Sequence, residues 1–423
     1  MKVGIIGSGG REHSLCYFIK KSKKVDKIYC FPGNAGTSKI AENIEIDLNN
    51  FEDLKNIVIK KKIDYLIVGP EKPLVDGIVD YFEKHKIKIF GPNKIAAELE
   101  GSKIFTKKLC QKYKIPTADF GVFNKSDDAL KFVAGSNFPL VVKADGLAAG
   151  KGVYICENEE MAHKAITEVF EGKFGVANEI LIEEFLDGEE MSYFIISDGY
   201  SYKKFQTAQD HKRVFEGDKG KNTGGMGAYS PSKLINEELD KKIISKIIEP
   251  TLKGLRDLKT NYKGFLYAGL MIKNNEPYLI EYNVRMGDPE CQTILPKLKN
   301  DIMEVIESSI NGKLDAINLS WHETKSLCIV LCSKGYPDKF NNEIEIKNLD
   351  NLEIKDNEKE FIFHAGTKII KDKIFSNGGR VLNFVKQSES YKKSRDDVII
   401  SINNLKWENG FYRKDIGYKV IDK

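Results

Sequence analysis

Two stretches of the chain combine residue types that suit phosphate chemistry. The first, residues 143–152, reads K-A-D-G-L-A-A-G-K-G, a lysine at the end of a predicted strand followed by a glycine-rich loop. The second, residues 281–290, reads E-Y-N-V-R-M-G-D-P-E. On a strand, Glu281, Asn283 and Arg285 would point to the same side. Two oxygen ligands beside a cation suit Mg²⁺-bound phosphates, so together the stretches predict an ATP-dependent enzyme.

A second glycine-rich turn, residues 7–12 (G-S-G-G-R-E), follows the first predicted strand and opens a helix. Backbone amides and the positive end of a helix dipole attract phosphate at such a turn. The dinucleotide-binding pattern G-x-G-x-x-G fails because its sixth position is Glu12, and Pro32 stands near the second strand end, where an acid is expected. A phosphate-bearing small molecule therefore fits better than NAD, although a tight structural turn explains the loop almost as well.

Two further segments suit the binding of a nucleotide and its partner substrate. Residues 180–190 (I-L-I-E-E-F-L-D-G-E-E) form an apolar strand and a turn, whose backbone suits an adenine edge and whose acids suit ribose hydroxyls. A hinge with solvated acids is the alternative. Residues 210–213 (D-H-K-R) precede a glycine-rich segment, N-T-G-G-M-G-A-Y-S-P, at 222–231. The glycines of this second segment predict a mobile loop that closes on substrate. By itself, His211 is better explained as structural.

Composition limits the class of protein. The 423 residues predict about three domains, and 41% hydrophobic with 30% charged residues indicates globular folding. The net charge of +4 is spread without long runs of one sign, which argues against a nucleic-acid partner. Seven scattered cysteines and the lack of any long apolar run predict a cytoplasmic protein with no membrane contact. Only seven basic residues are arginines, and Arg11, Arg213, Arg285 and Arg380 lie in or beside the motifs.

The first hundred residues alternate predicted strands and helices, which indicates a parallel sheet covered by helices. The predicted strands are 2–6, 27–31, 65–68 and 88–90, and the predicted helices are 11–21, 51–60 and 75–85. Glycines and prolines follow three of these strands, at the sheet edge where ligands bind. A helix over 102–114 leads into a mixed segment that ends near residue 318, and the last hundred residues predict a smaller α+β unit.

Taken together, the motifs resemble those of the phosphoribosylamine–glycine ligases (glycinamide ribonucleotide synthetases), which are ATP-grasp enzymes of purine synthesis. The resemblance runs nearly end to end. It is carried by G-S-G-G-R-E-H-S (7–14), P-G-N-A-G-T (32–37), V-G-P-E-K-P-L-V-D-G (68–77), L-E-G-S-K-I-F-T-K (99–107), N-T-G-G-M-G-A-Y-S-P (222–231), G-D-P-E (287–290), F-H-A-G-T (363–367) and N-G-G-R-V-L (377–382). The motifs N-T-G-G-M-G-A-Y-S-P (222–231) and G-D-P-E (287–290) together are the most specific.

The resemblance implies a multidomain α/β and α+β protein. Its parts would be a Rossmann-like parallel-sheet domain for substrate (1–101), an ATP-grasp body (102–320) with a small lid (about 121–190), and a C-terminal α+β domain (321–423). It implies that ATP, glycine and 5-phosphoribosylamine become glycinamide ribonucleotide, ADP and phosphate through glycyl phosphate. Mg²⁺ or Mn²⁺ would be the cofactor, and the protein would act as a monomer.

The resemblance also implies roles for individual residues. Those expected to bind ATP are Lys103, Lys143, Gly146, Gly150, Lys151, Gly152, Glu184, Phe185, Leu186 and Glu190. Those expected to bind the metal are Glu281 and Asn283. Those expected in catalytic positions near glycine and the transferring phosphate are Asp210, Arg213 and Arg285. Those expected to bind the other substrates are Gly9, Gly10, Asn34, Asn222, Thr223, Gly224 and Asp288.

Two departures from related enzymes accompany the resemblance. The strand at 266–271 (L-Y-A-G-L-M) has no acid, as in the glycine ligases, so it offers no metal ligand of the kind many ATP-grasp enzymes have there. Residues 291–297 (C-Q-T-I-L-P-K) lack the arginine usual near Pro296. The alternatives are another ATP-grasp carboxylate–amine ligase or carboxylase of purine synthesis, an NAD-linked oxidoreductase, and a non-catalytic nucleotide-binding module.

Overall fold

The computed structural model describes residues 1–147, 152–173, 179–353 and 359–421. A five-stranded sheet occupies the N-terminal region, and all its strand pairs are parallel, as predicted. Its strands, in spatial order, are Glu42–Asn43, Lys27–Pro32, Lys2–Gly7, Tyr65–Val68 and Lys88–Phe90. Its helices are Gly10–Lys20, Thr37–Lys39 (3₁₀), Phe51–Lys61, Glu71–Asp76, Ile78–Lys84 and Lys94–Gly101. Alternating buried strands and amphipathic helices therefore produce the layered fold that the sequence pattern indicates.

The single helix predicted over 75–85 is wrong. The structure has two helices, Glu71–Asp76 and Ile78–Lys84, which meet at Gly77. Gly77 has φ +92°, in the left-handed region where glycine is favoured, and its amide donates to the Leu74 carbonyl at 3.0 Å. The apolar periodicity continues through this break, so periodicity alone does not reveal it.

A small antiparallel sheet with two helices follows the N-terminal region. Its strands, in spatial order, are Phe120–Phe123, Ile180–Glu184, Leu140–Ala144 and Val153–Cys156. The helices are Ser126–Ala134 and Glu159–Phe170, and they bury apolar side chains such as Val133 and Ile166 against it. This unit lies where a lid is predicted, and the predicted limits 121–190 stay a prediction.

The central body is a four-stranded antiparallel sheet. Its strands, in spatial order, are Tyr202–Lys204, Glu189–Asp198, Lys263–Lys273 and Glu276–Asn283. Its helical segments are Lys103–Tyr113, Glu237–Ile243, Ile244–Ile248 (π), Glu249–Asp257, Glu290–Ile294, Leu295–Lys297 (3₁₀), Ile302–Ile310 and Leu314–Ala316 (3₁₀). Helices on both faces bury the central strands.

The C-terminal sheet takes in two strands from the middle of the chain. Its path is Gln209–Asp210, Gly227–Ser230, Lys325–Ser333, Arg380–Ser388 and Glu360–His364, with Gly410–Phe411 paired to Lys325–Ser333. Hairpins join Arg213–Phe215 to Lys219–Asn222 and Thr367–Ile370 to Lys373–Ser376, and the helices are Leu349–Glu353, Tyr391–Leu405 and Tyr418–Ile421. Two substrate motifs are thus attached to the C-terminal unit. None of the helices in the described part of the chain combines the length and hydropathy that a bilayer span requires.

Candidate active site

Three lysines meet between the small antiparallel sheet and the helix Lys103–Tyr113. Lys143 lies 2.8 Å and Lys107 lies 3.3 Å from the Glu183 carboxylate. The side chains of Lys107, Lys143 and Glu183 are almost fully buried. Lys103 donates to the Gly146 carbonyl at 2.8 Å. Burial lowers the pKa of both Lys103 and Lys107. We call Lys103, Lys107, Lys143 and Glu183 the lysine cluster, in which desolvated positive charge exceeds negative charge, as a polyphosphate requires.

The helix beginning at Lys103 holds the start of the glycine-rich loop. Asp145 accepts from the Ser102 hydroxyl at 3.0 Å and from the Ile104 amide at 3.2 Å, while Ser102 caps the helix through the Phe105 amide. Gly146 follows with φ +86°. Gly152 closes the loop, because its carbonyl accepts from the Ala144 amide at 2.9 Å. The predicted ATP contacts Gly150 and Lys151 lie outside the described residues.

The predicted adenine frame follows the strand Ile180–Glu184. The Glu184 amide donates to the Asp119 carbonyl at 3.0 Å, and its carboxylate accepts from the Asp119 amide at 3.3 Å. The Glu184 N–H is therefore already used, which leaves the backbone of Phe185 and Leu186 as the better candidates for an adenine edge. The Phe185 ring is 37% exposed.

Glu281 and Glu190 share a small cleft with Asp210 and Lys212. The Lys212 ammonium lies 3.6 Å from Glu281 and 3.7 Å from Glu190. Although burial opposes ionisation, Lys212, Lys143 and Lys103 keep the pKa of Glu281 below its usual value. Burial and the neighbouring carboxylates raise the pKa of Asp210 to about 8, because together they outweigh the positive charge of Lys212, which lowers it.

The predicted metal site consists of two side chains, Glu281 and Asn283, in the described part of the chain. Glu281 and Asn283 alternate on the strand Glu276–Asn283, which places both on one side. The described residues contain no group of three or more histidine, cysteine, aspartate or glutamate side chains arranged to hold a metal. One carboxylate and one amide oxygen still fit Mg²⁺, which takes phosphate oxygens and water as its remaining ligands.

Arg285 joins the central body to the N-terminal region. It lies 3.2 Å from Glu71 and 2.7 Å from Glu100, and Glu100 also accepts from the Val284 amide at 2.7 Å. Arg285 and Arg11 lower the pKa of Glu71 to about 2 despite its burial. Burial raises the pKa of Glu100 to about 7 in spite of Arg285. The structure thus engages the predicted catalytic guanidinium with two carboxylates.

Two more arginines complete this region near Gly9 and Gly10. Arg11 lies 2.5 Å from Glu12, whose carboxylate also accepts from the Gly9 amide at 2.6 Å. Arg380 lies 3.4 Å from the Asp288 carboxylate and donates to the Asp288 carbonyl at 2.6 Å. Burial by itself would raise the pKa of Asp288, but the positive charges of Arg380 and Arg11 outweigh burial and lower the pKa. The residues that we call the arginine junction are Arg11, Glu12, Glu71, Glu100, Arg285, Asp288 and Arg380.

Asn34 connects the N-terminal and C-terminal regions. Its side-chain amide donates to the Ser8 carbonyl at 2.8 Å and to the His364 carbonyl at 2.9 Å, and its oxygen accepts from the Gly36 amide. A Cβ on Gly10 would overlap the Asn383 amide, so the turn approaches the C-terminal sheet closely. Gly9, Gly10, Asn34 and Asp288 therefore lie around one corner between the two regions.

The predicted mobile loop is tied to its surroundings. The Thr223 hydroxyl donates to the Lys212 carbonyl at 2.8 Å, and Gly224 accepts from Arg380 at 2.6 Å. Asn222 pairs with Arg213 across a hairpin, where the Arg213 side chain donates to the Gly220 carbonyl at 2.8 Å. The contact with Arg380 links this loop to the arginine junction.

Two buried side chains have structural explanations. His211 accepts from the Gly417 amide at 3.2 Å, and burial together with Arg413 lowers its pKa to about 4, so it is neutral at physiological pH. Lys297, in the divergent segment 291–297, donates to Gln206 at 2.7 Å, and burial lowers its pKa to about 7. In the described part of the chain, neither side chain forms a hydrogen bond or an ion pair with the lysine cluster.

Sequence reasoning missed three residues of the site: Lys107, Glu183 and Lys212. Each lies inside a motif of the chain: Glu183 and Lys212 stand beside the predicted residues Glu184 and Arg213, and Lys107 stands one helical turn after Lys103. For Glu183 the distinguishing signal is a charge within an apolar strand, since burying such a charge is costly without a partner.

Comparison with known proteins identifies the family. The chain matches the phosphoribosylglycinamide synthetase N domain over residues 1–100, the ATP-grasp (A) domain over 101–291 and the C domain over 326–419. The chain belongs to the phosphoribosylglycinamide synthetase family. It is 42% identical to the phosphoribosylamine–glycine ligase of Brucella melitensis, over all of this chain and 99% of that one. It is 44% identical to the enzyme of that name from Caldanaerobacter subterraneus, over 98% and 99% of the two chains.

A solved structure supports the same assignment. The phosphoribosylamine–glycine ligase of Thermotoga maritima superposes with a TM-score of 0.85 at 31% identity, covering 99% of this chain and all of that chain. Membership of the phosphoribosylglycinamide synthetase family therefore rests on sequence and fold together, and the predicted fold class is confirmed.

Proposed function

We propose that the protein joins glycine to 5-phosphoribosylamine at the expense of ATP, forming glycinamide ribonucleotide, ADP and phosphate in purine synthesis. The observation that carries the proposal is the family match across all three domains. The lysine cluster supports it, because buried positive charge in excess suits the phosphates of ATP. A monomeric state and a cytoplasmic location remain predictions.

The reaction needs positioning and charge stabilisation rather than a protein nucleophile. A glycine carboxylate oxygen would attack the γ-phosphorus of ATP and release ADP, which leaves glycyl phosphate. The phosphoribosylamine nitrogen would then attack the acyl carbon, and phosphate and a proton would leave. Lys103, Lys107 and Lys143 would hold the phosphates in line, while Asp210 and Arg213 would lie near glycine.

Glu281 and Asn283 would hold Mg²⁺ or Mn²⁺, whose chemical contribution when bound is to neutralise phosphate charge. Lys212, now 3.6 Å from Glu281, would give up that contact. We expect Glu281→Gln to reduce turnover at least about a hundredfold and to weaken Mn²⁺ binding about tenfold or more. Electron paramagnetic resonance of Mn²⁺ reports binding without turnover. An unchanged Mn²⁺ affinity in Glu281→Gln would contradict the assignment. The control is Lys108→Gln, which changes an exposed lysine and should leave Mn²⁺ binding as it is.

The corner formed by Gly9, Gly10, Asn34 and Asp288 would bind phosphoribosylamine. Gln292 and Asn383 approach Gly10 through their amide nitrogens. The oxygens of the same side chains, Gln292 Oε1 and Asn383 Oδ1, are buried and have no hydrogen-bond partner among the described residues. Buried acceptors without partners are rare in native proteins. The amine and hydroxyl groups of the substrate would satisfy them.

The deciding experiment measures ADP release with Mg²⁺-ATP while glycine or freshly made phosphoribosylamine is omitted in turn. We expect release to require both, with glycinamide ribonucleotide identified by mass spectrometry. Release that depends on bicarbonate instead of glycine would assign the chain to a carboxylating reaction and overturn the proposal.

A further inference from the structure

A second cleft, of about 560 Å³, opens at the end of the central sheet remote from the candidate active site. The strand Glu189–Asp198 connects the two places, since Glu190 lies at the active site and Ser197 lines the second cleft. Glu190 and Ser197 are seven positions apart on this strand, which corresponds to roughly 23 Å. The volume is in the range of small-molecule sites. The second cleft is therefore spatially separate from the candidate active site.

Arg256 in this cleft is an exception among the arginines. The other six each have a hydrogen-bond acceptor or a carboxylate within ion-pair distance. Within the described residues Arg256 has neither, and Lys253, three positions earlier on the same helix, also has no carboxylate partner. Both side chains are exposed and line the cleft. Two adjacent, unneutralised cations suit an anionic group such as phosphate.

The rest of the lining supplies rings and an acceptor. Tyr200 is 82% exposed, and Tyr202 and the buried Tyr262 also line the cleft. The Glu249 carboxylate accepts from the Tyr202 hydroxyl at 3.3 Å and has further acceptor capacity. Tyrosine faces suit a planar ring, and a carboxylate suits sugar hydroxyls.

The helix that carries these groups has an unusual backbone. Residues Ile244–Ile248 form a π-helical segment that runs directly into the helix Glu249–Asp257. Ser245, Glu249 and Lys253 follow one another at intervals of four, and all three line the cleft. π-Helical turns are rare and often occur at functional sites. This one also ends two residues before Pro250, which has no N–H to donate to the helix.

We propose that the second cleft binds a 5′-mononucleotide independently of the ATP site. The base would lie against the tyrosine rings and the ribose hydroxyls would donate to Glu249. The phosphate would be held by Lys253 and Arg256.

Equilibrium dialysis with labelled AMP on the full chain tests this site. We expect Arg256→Gln to weaken AMP binding about tenfold or more, because a charge-assisted hydrogen bond is lost. Lys108→Gln, which changes an exposed lysine outside the cleft, should have no effect. The AMP binding that Arg256→Gln weakens should persist in Lys143→Met, whatever that variant does at the ATP site. Circular dichroism confirms that each variant is folded.

Three outcomes would overturn the proposal. AMP binding that is lost in Lys143→Met but kept in Arg256→Gln would place the nucleotide in the lysine cluster. An absence of saturable binding up to about 10 mM would leave the cleft without the proposed ligand. Inorganic phosphate that binds as tightly as AMP would remove the role of the tyrosine rings.

Discussion

The lysine cluster and the arginine junction use buried positive charge in opposite ways. The lysine cluster has three ammonium groups, and Glu183 is the one carboxylate within ion-pair distance of them in the described part of the chain. The arginine junction has three guanidinium groups and four carboxylates. Surplus charge prepares the first region for an anionic ligand, whereas neutralised charge makes the second a connection between domains. Arginine suits the latter because its planar fork bonds several acceptors at once.

The largest effect should follow from removing the central cation of the arginine junction. We expect Arg285→Met to lower the free energy of unfolding by about 3 kcal/mol, because Glu71 and Glu100 lose their partner. Urea denaturation followed by circular dichroism measures the change. Arg395→Met is the matched control, since Arg395 lies 3.9 Å from a single carboxylate, Asp396. Equal losses in both variants would contradict a special role for the arginine junction.

Lys143→Met should separate activity from stability in the lysine cluster. We expect turnover to fall at least about a hundredfold, or ~2.7 kcal/mol, because a phosphate contact is lost. The free energy of unfolding should change by less than about 1 kcal/mol, since Lys107 still compensates Glu183. ADP release and urea denaturation on the same preparation give both values. A stability loss as large as that of Arg285→Met would erase the distinction between the two regions.

A pH dependence in the arginine junction tests the protonation state of Glu100. The pKa of Glu100 is about 7 in the folded protein against an ordinary 4.5, so the folded state retains a proton that the unfolded state has released. The associated stability is present in full below pH 4.5 and is lost as the pH rises through 7. We expect Glu100→Gln to lose less stability than the unmodified protein between pH 4.5 and 7. Parallel pH profiles of the two proteins, measured by urea denaturation, would contradict this assignment.

Much of the N-terminal sheet is predictable because its signals are local. The strand Tyr65–Val68 is a buried apolar run, and the glycines and prolines after such strands mark turns. Gly77 was missed because an apolar helical pattern continues on both of its sides, while its positive φ depends on how the two helices pack.

The candidate site was only partly predictable for a related reason. Lys143 and Glu281 stand in motifs whose chemistry is evident from residue type. The roles of Glu183 and Lys107 depend on a strand and a helix that lie 76 positions apart in the chain and come together only on folding. The attachment of Asp210 to the C-terminal sheet likewise depends on pairing between Gln209–Asp210 and Gly227–Ser230, and between the latter and Lys325–Ser333.

By itself, the sequence determined the kinds of element, the order of the domains and the residue types available for phosphate chemistry. These depend on periodicity, turn residues and short motifs, which operate over a few positions. The tertiary structure alone decided which charges are neutralised. Arg285 meets Glu71 and Glu100 from 214 and 185 residues away, whereas the lysine cluster retains its surplus. Ion pairing is set by the distances between packed elements, and those distances exist only in the folded chain.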